Sequence, residues 1–192
     1  MTLGKDDRPD HANWHVRQRR LLLNADPWLR VWADDLELPD GREVDGFLGI
    51  EMRDYVVVVA LTEDDQVVVE RRYKHGPRRV CISLPAGYIE PGEDPLDAAR
   101  RELLEETGYC AEDWEPLGSF TNDGNRGGGS GHLFLARRAR HVAEPDSGDL
   151  ESVSIELRTF DELLSAIQTG EVAVISNAAA IALAILQMSR TS

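Results

Sequence analysis

The stretch Leu84-Pro-Ala-Gly-Tyr-Ile-Glu-Pro-Gly-Glu93, followed by Asp94-Pro-Leu-Asp-Ala-Ala-Arg-Arg-Glu-Leu-Leu-Glu-Glu-Thr-Gly-Tyr109, decides how this chain is read. Its second half carries the signals of a helix over about 95 to 107. Asp94 can cap, Pro95 suits the first helical position, and Asp97 places acid where the helix dipole favours it. Leu96, Ala99 and Leu103 form an apolar face, and Gly108 supplies the stop. On that helix Glu102, Glu105 and Glu106 fall at i, i+3 and i+4, so three carboxylates project from one face. Like charges packed in this way destabilise a helix unless a cation joins them. Hard oxygen ligands suit Mg²⁺ or Mn²⁺, and neither His nor Cys is interleaved to suggest zinc. Taken alone the spacing also fits an acidic, solvated helix.

The first half is a turn-rich loop leading into the helix, with backbone carbonyls near Ala86 and Gly87 available to a metal. Upstream, Tyr55-Val-Val-Val-Val-Ala-Leu61 and Gln66-Val-Val-Val-Glu-Arg71 are β-branched runs separated by Thr62-Glu-Asp-Asp65, a hairpin whose first strand is expected to be buried on both faces. Val80 to Leu84 is a further short strand. Further upstream, Trp28 to Leu38 and Glu43 to Met52 flank Pro39-Asp40-Gly41 and predict an N-terminal hairpin. Downstream come a strand near 114 to 121, a glycine-rich loop at 122 to 131, strands at 132 to 136 and near 152 to 159, and helices near 160 to 168 and 176 to 189. Residues 1 to 13 are polar and aperiodic and read as a frayed tail. Strands and helices without βαβ regularity predict an α/β fold, a mixed sheet flanked by helices.

The 192 residues hold 21 Lys and Arg against 35 Asp and Glu, a formal charge of −14, which argues against polyanion or anionic-membrane partners. The charge is unevenly placed. Residues 70 to 80 hold Arg71, Arg72, Lys74, Arg78 and Arg79 against Glu70 alone, whereas residues 87 to 115 set ten carboxylates against Arg100 and Arg101. Cations for substrate oxygens beside carboxylates for a metal are what a metal-assisted phosphate site needs, although two solvated surfaces fit the same pattern. Cys81 and Cys110 are too few for a disulfide framework and read as small apolar residues. No run is long enough to span a bilayer and the N-terminus lacks a signal-peptide core, so a soluble cytoplasmic protein is expected.

Gly87, Glu93, Arg101, Glu102, Glu105, Glu106 and Gly108 resemble the Nudix box, G-x5-E-x7-R-E-U-x-E-E-x-G-U, at all seven fixed positions. Tyr109 stands where an aliphatic residue is usual. The run Val67 to Gly76 followed by Leu84 to Glu90 is similar to the branch that hydrolyses ADP-ribose and other nucleoside diphosphate sugars. The resemblance implies a Nudix α/β/α domain over 53 to 192, with residues 14 to 52 as a β lobe that pairs with a second subunit. It implies Mg²⁺ or Mn²⁺ held by Glu105, Glu106, the Ala86 carbonyl and Glu102, with Glu102 as ligand or general base. Glu93 and Arg101 become an ion pair tying loop to helix.

The activity implied is hydrolysis of a diphosphate bond in a small nucleotide, foremost ADP-ribose to AMP and ribose 5-phosphate. The alternatives are another nucleoside diphosphate sugar or a dinucleotide, or a ligand-binding regulatory module with lost catalysis. In the resembled branch an Arg commonly follows the strand aromatic. Here Lys74 follows Tyr73, so Lys74 or Arg72 becomes the phosphate contact. Trp28 is a candidate for stacking a base, with core or dimer packing as the other reading. The loop Thr121 to Gly131 lacks the Ser-Pro-Gly turn and the Glu usual there. Asp123 is its only acid, and Arg126 is a candidate contact for a phosphate or sugar, unless the loop is merely a linker.

Overall fold

The computed structural model describes residues 13–146, 148 and 153–190, so the tail expected over 1–13 lies outside the described residues except for Asn13. Two compact units are present: one runs to Arg53 and includes Thr121–Gly129, and the other comprises Asp54–Phe120 with Ser130 onward.

The second unit grows from the valine runs. Strand β4 (Tyr55–Thr62) pairs antiparallel with β5 (Val67–Lys74) and parallel with β10 (Gly127–His141), from Gly131 opposite Tyr55 to Ala139 opposite Thr62. Strand β11 (Ser154–Arg158) runs antiparallel along the other side of β5, giving the order β10-β4-β5-β11. Short strands β6 (Arg79–Ser83) and β7 (Ala86–Tyr88) add to β5 and β4, while β8 (Tyr109–Cys110) and β9 (Asp113–Asp123) pair with β10.

The pleat sorts the side chains. Val57, Val59, Val67, Val69, Leu133 and Leu135 face helices α2 (Phe160–Thr169) and α3 (Ile175–Ser189). Val56, Val58, Ala60, Val68, Phe134 and Ala136 face helix α1 (Pro95–Thr107), through Ala98, Ala99 and Leu103. Each of these two faces is thus sealed by helix, and every residue from Val56 to Leu61 is buried, which is why β4 reads as an unbroken apolar run.

Local chemistry sets the helix ends. The Asp94 side chain accepts from Leu96 N at the start of α1, and Gly108 closes it in the left-handed region at φ 72°. Thr159 and Glu162 form a capping box on α2. On α3, the buried Asn177 side chain accepts from Leu84 N at 2.8 Å and so pegs the end of the strand that leads into the box loop.

The first unit is a meander of β1 (His15–Ala25), β2 (Leu29–Glu37) and β3 (Glu43–Glu51), with β2 central. The sequence predicts β2 and β3 but not β1. The whole of β1 is exposed, and a strand without a buried face has no reason to alternate. Beyond its antiparallel ladder with β2, ion pairs tie it down: Arg19 grips Asp34 with two bonds of 2.8 and 2.7 Å, and Arg17 reaches Glu43 and Asp45.

The glycine-rich loop is shorter than the expected 122–131, because Asp123 Oδ1 accepts from the amides of both Asn125 and Arg126 and forms a tight turn. Strand β10 therefore begins at Gly127, whose neighbour Arg126 accepts from Ile50 N. Gly129 (φ 78°) lies so close to the Arg53 carbonyl that a Cβ would stand 2.7 Å from its oxygen. Among the described residues no helix is long and apolar enough to cross a membrane.

Candidate active site

The site is assembled where the box loop meets α1. In an antiparallel ladder alternate residues turn their amide and carbonyl away from the partner strand. Val58 N bonds the Pro85 carbonyl, so Ala86, opposite Val57, turns outward and gives its N–H to Glu106 Oε2 at 2.7 Å. By the same alternation its carbonyl also turns away from β4. The next residue, Gly87, packs directly beneath Glu102, and a Cβ there would overlap the Glu102 carboxylate. The glycine is needed for space, since its φ is not left-handed.

Arg101 is the hub on the outer side. It holds Glu93 through two parallel bonds of 2.9 Å, donates to the Tyr88 carbonyl at 3.1 Å, and reaches Glu102 Oε1 at 2.6 Å and Glu105 Oε2 at 3.2 Å. The structure thus brings the sequence-derived pair Glu93 and Arg101 together, and ties loop to helix at both ends of the pair. The Glu93 carboxylate in particular raises the Arg101 pKa, so this cation is permanent.

The three helix carboxylates differ in setting. Glu105 is the most open, with 46% of its side chain exposed, against 13% for Glu102 and 8% for Glu106. Burial pushes Glu102 above the usual carboxylate range, with Glu106 and Glu105 adding to the push and Arg101 opposing it. Burial does the same to Glu106, reinforced by the like charge of Glu70 and opposed by the Ala86 amide, Arg72 and Lys74. Lys74 lies close enough to bear on this cluster from the end of β5 and is itself half-buried.

Among the described residues no three acidic, His or Cys side chains already converge as an ion cage: Glu102 and Glu105 lean on Arg101, and Glu106 on Arg72. The donor set nevertheless fits a hard divalent cation. It consists of carboxylates and a strand carbonyl, with a glycine floor that lets one carboxylate approach the backbone.

Arg72 is placed differently from a solvent-facing phosphate contact. It is 9% exposed and donates to Glu70 Oε2 at 3.1 Å and to Glu106 Oε1 at 2.7 Å. Sequence reasoning passed over Glu70. The available signal was Val68-x-Glu70-x-Arg72, a charged pair continuing one face of a valine-rich strand. Trp28 and Arg126 lie in the first unit, Trp28 at 58% exposure and Arg126 in the turn built by Asp123. Asp123 is held well below the usual range by the Asn125 and Arg126 amides, so its carboxylate is an acceptor for the turn.

A family model described as the NUDIX domain matches residues 52–175. The chain belongs to the Nudix family. Among its relatives is a methanol dehydrogenase activator from Bacillus methanolicus, 34% identical over 73% of this chain and 76% of that protein. An ADP-ribose pyrophosphatase from Bacillus subtilis (strain 168) is 28% identical over 74% and 77% of the two chains. The crystal structure of an ADP compounds hydrolase superposes with a TM-score of 0.80, covering 93% of this chain and 96% of that one at 18% identity, which establishes the shared Nudix fold. With its Arg101-Glu102-x-x-Glu105-Glu106 run intact, the chain is a Nudix pyrophosphohydrolase.

Proposed function

We propose that this Nudix protein hydrolyses the diphosphate bond of a nucleoside diphosphate joined to another moiety, with ADP-ribose, giving AMP and ribose 5-phosphate, as the foremost substrate. The reading is supported by the packing of α1 against the box loop, where Gly87 lies under Glu102, the Ala86 amide donates to Glu106, and Arg101 reaches both Glu102 and Glu105. Glu102, Glu105, Glu106 and the Ala86 carbonyl would hold Mg²⁺ or Mn²⁺, which when bound draws charge from the diphosphate and acidifies water.

Glu102 is the proposed general base. It sits over Gly87 with a raised proton affinity, and Arg101 fixes its outer oxygen. Lys74 supplies a point charge for a phosphate oxygen next to this cluster. Arg126 and Trp28 are proposed as contacts for the distal sugar phosphate and the base. Residues 14–52 are proposed to pair with a second copy in the cytoplasm.

Similarity to an ADP-ribose pyrophosphatase supports this substrate class. A second reading, that the protein activates a partner enzyme, is favoured by its likeness to a methanol dehydrogenase activator. The deciding experiment offers ADP-ribose, other nucleoside diphosphate sugars and dinucleotides with Mg²⁺ or Mn²⁺, and identifies both products. Cleavage of ADP-ribose to AMP and ribose 5-phosphate supports the first reading. Inertness toward the whole panel rejects it in favour of the second.

A further inference from the structure

Glu70 has no exposed surface, yet apart from Arg72 it stands on a sheet face made of apolar side chains, Val56, Val58, Ala60, Val68, Phe134 and Ala136. A buried carboxylate carries a desolvation cost that its ion-pair partner only partly offsets, so stability alone is a weak reason for it. Its Oε1 has no hydrogen-bond partner. Oε2 accepts from Arg72 Nη1 at 3.1 Å, and the same nitrogen donates to Glu106 Oε1 at 2.7 Å.

A guanidinium facing a single carboxylate tends to take it as a fork, through two parallel bonds. Here one nitrogen is shared between two carboxylates, and the second oxygen of Glu106 is left to the Ala86 amide. We infer that Glu70 is a positioning residue: by holding Arg72 from the strand side, it limits the guanidinium to one oxygen of Glu106. That carboxylate thereby stays anchored to the box loop while remaining incompletely neutralised for a divalent cation. Without Glu70, Arg72 turns onto Glu106 as a fork, competes with the Ala86 amide and occupies lone pairs that a metal needs. The inference rests on Glu106 being a metal ligand, as proposed above.

The test titrates Mn²⁺ alone into wild type, Glu70→Met, Glu70→Gln and Glu106→Gln, following free Mn²⁺ by electron paramagnetic resonance. Thermal melting of each protein without metal accompanies it. Glu70→Met keeps the volume and removes the acceptor. It is expected to weaken Mn²⁺ binding about tenfold, in the range seen when outer-shell partners of metal ligands are lost, with a melting temperature equal to or above wild type. Glu70→Gln keeps an acceptor oxygen for Arg72 and is expected to stay within about twofold of wild type in affinity.

Unchanged Mn²⁺ binding in Glu70→Met overturns the inference. A lowered melting temperature in that variant assigns Glu70 to packing and overturns it equally. Glu70→Gln falling together with Glu70→Met also overturns it, because the charge rather than the hold on Arg72 would then matter. If Glu106→Gln weakens Mn²⁺ binding while Glu70→Met does not, the ligand reading stands and only the role of Glu70 is lost. If Glu106→Gln binds as wild type does, both fall.

Discussion

Replacing Gly87 by alanine tests the site at its tightest point. The backbone there is extended strand, so alanine adopts it without strain, and the whole effect comes from one methyl group that would overlap the Glu102 carboxylate. Ordinary van der Waals contact begins at 3.4–4 Å, so the carboxylate must retreat by at least about 1 Å. The retreat breaks its 2.6 Å bond with Arg101, about 1 kcal/mol, and forces a rotamer change of about another 1 kcal/mol.

A loss of about 2 kcal/mol leaves the protein folded and lowers the melting temperature by about 4–8 °C for a chain of this size. Turnover suffers far more, since a displacement of about 1 Å of a reacting group costs about a hundredfold. Steady-state hydrolysis of ADP-ribose at saturating Mg²⁺, read beside a melting curve, separates the two effects. Gly124→Ala is the control, because a Cβ there meets nothing within 4 Å. The double variant Gly87→Ala/Glu102→Gln should be little worse than Glu102→Gln alone, since both disable one group. Turnover of Gly87→Ala within threefold of wild type, with an intact melting curve, would refute the placement of Glu102 at the reacting centre.

Glu102→Gln is expected to lose more than about a hundredfold in turnover and Asp123→Asn less than about tenfold, because the Asp123 carboxylate is already engaged by two turn amides. If both variants retain turnover, neither carboxylate is the base. Glu106→Gln, or excess chelator, should lower turnover by orders of magnitude with a near-native circular dichroism spectrum; full activity in chelator rejects the metal reading. Glu156 is held below the usual carboxylate range by Arg158 and Arg71. Its contribution is therefore present above about pH 4.5 and lost as pH falls through its lowered folded value. Glu156→Gln should flatten the acid limb of stability between about pH 5 and 3 by about 0.5 kcal/mol, after allowance for solvent screening. Light scattering should report about twice 21.4 kDa, and a monomer at micromolar concentration rejects pairing through residues 14–52.

Helix α1 was legible to its last residue because cap, first-turn proline and terminal glycine all agree, and local agreement of that kind needs no tertiary information. The valine runs were legible for a similar reason: burial on both faces leaves an unbroken apolar signature. Strand β7 was not, since Pro85 and Gly87 read as turn residues and its pairing is dictated by β4, some thirty residues earlier. The roles of Glu70 and Arg72 were hidden for a further reason. A two-residue period says that they share a face, but only the packing of α1 across that face reveals that Glu106 waits opposite. The short turn after Asp123 was hidden too, because a glycine-rich segment looks flexible until one side chain is seen holding two of its amides.

The bond from Leu84 N to the Asn177 side chain joins positions 93 residues apart, and it makes the last helix a keystone for a loop it never precedes in sequence. A truncated gene product ending before α3 would retain every residue of the Nudix box. It would nevertheless leave a buried amide bare and expose the face of Leu133, Leu135 and Val59 to water. The box is therefore an incomplete unit of inheritance: recombination that moves residues 84–109 into another scaffold must bring along an acceptor for the Leu84 amide. The same bond gives α3 a direct hold on the box loop, so changes near Asn177 should be felt at Ala86.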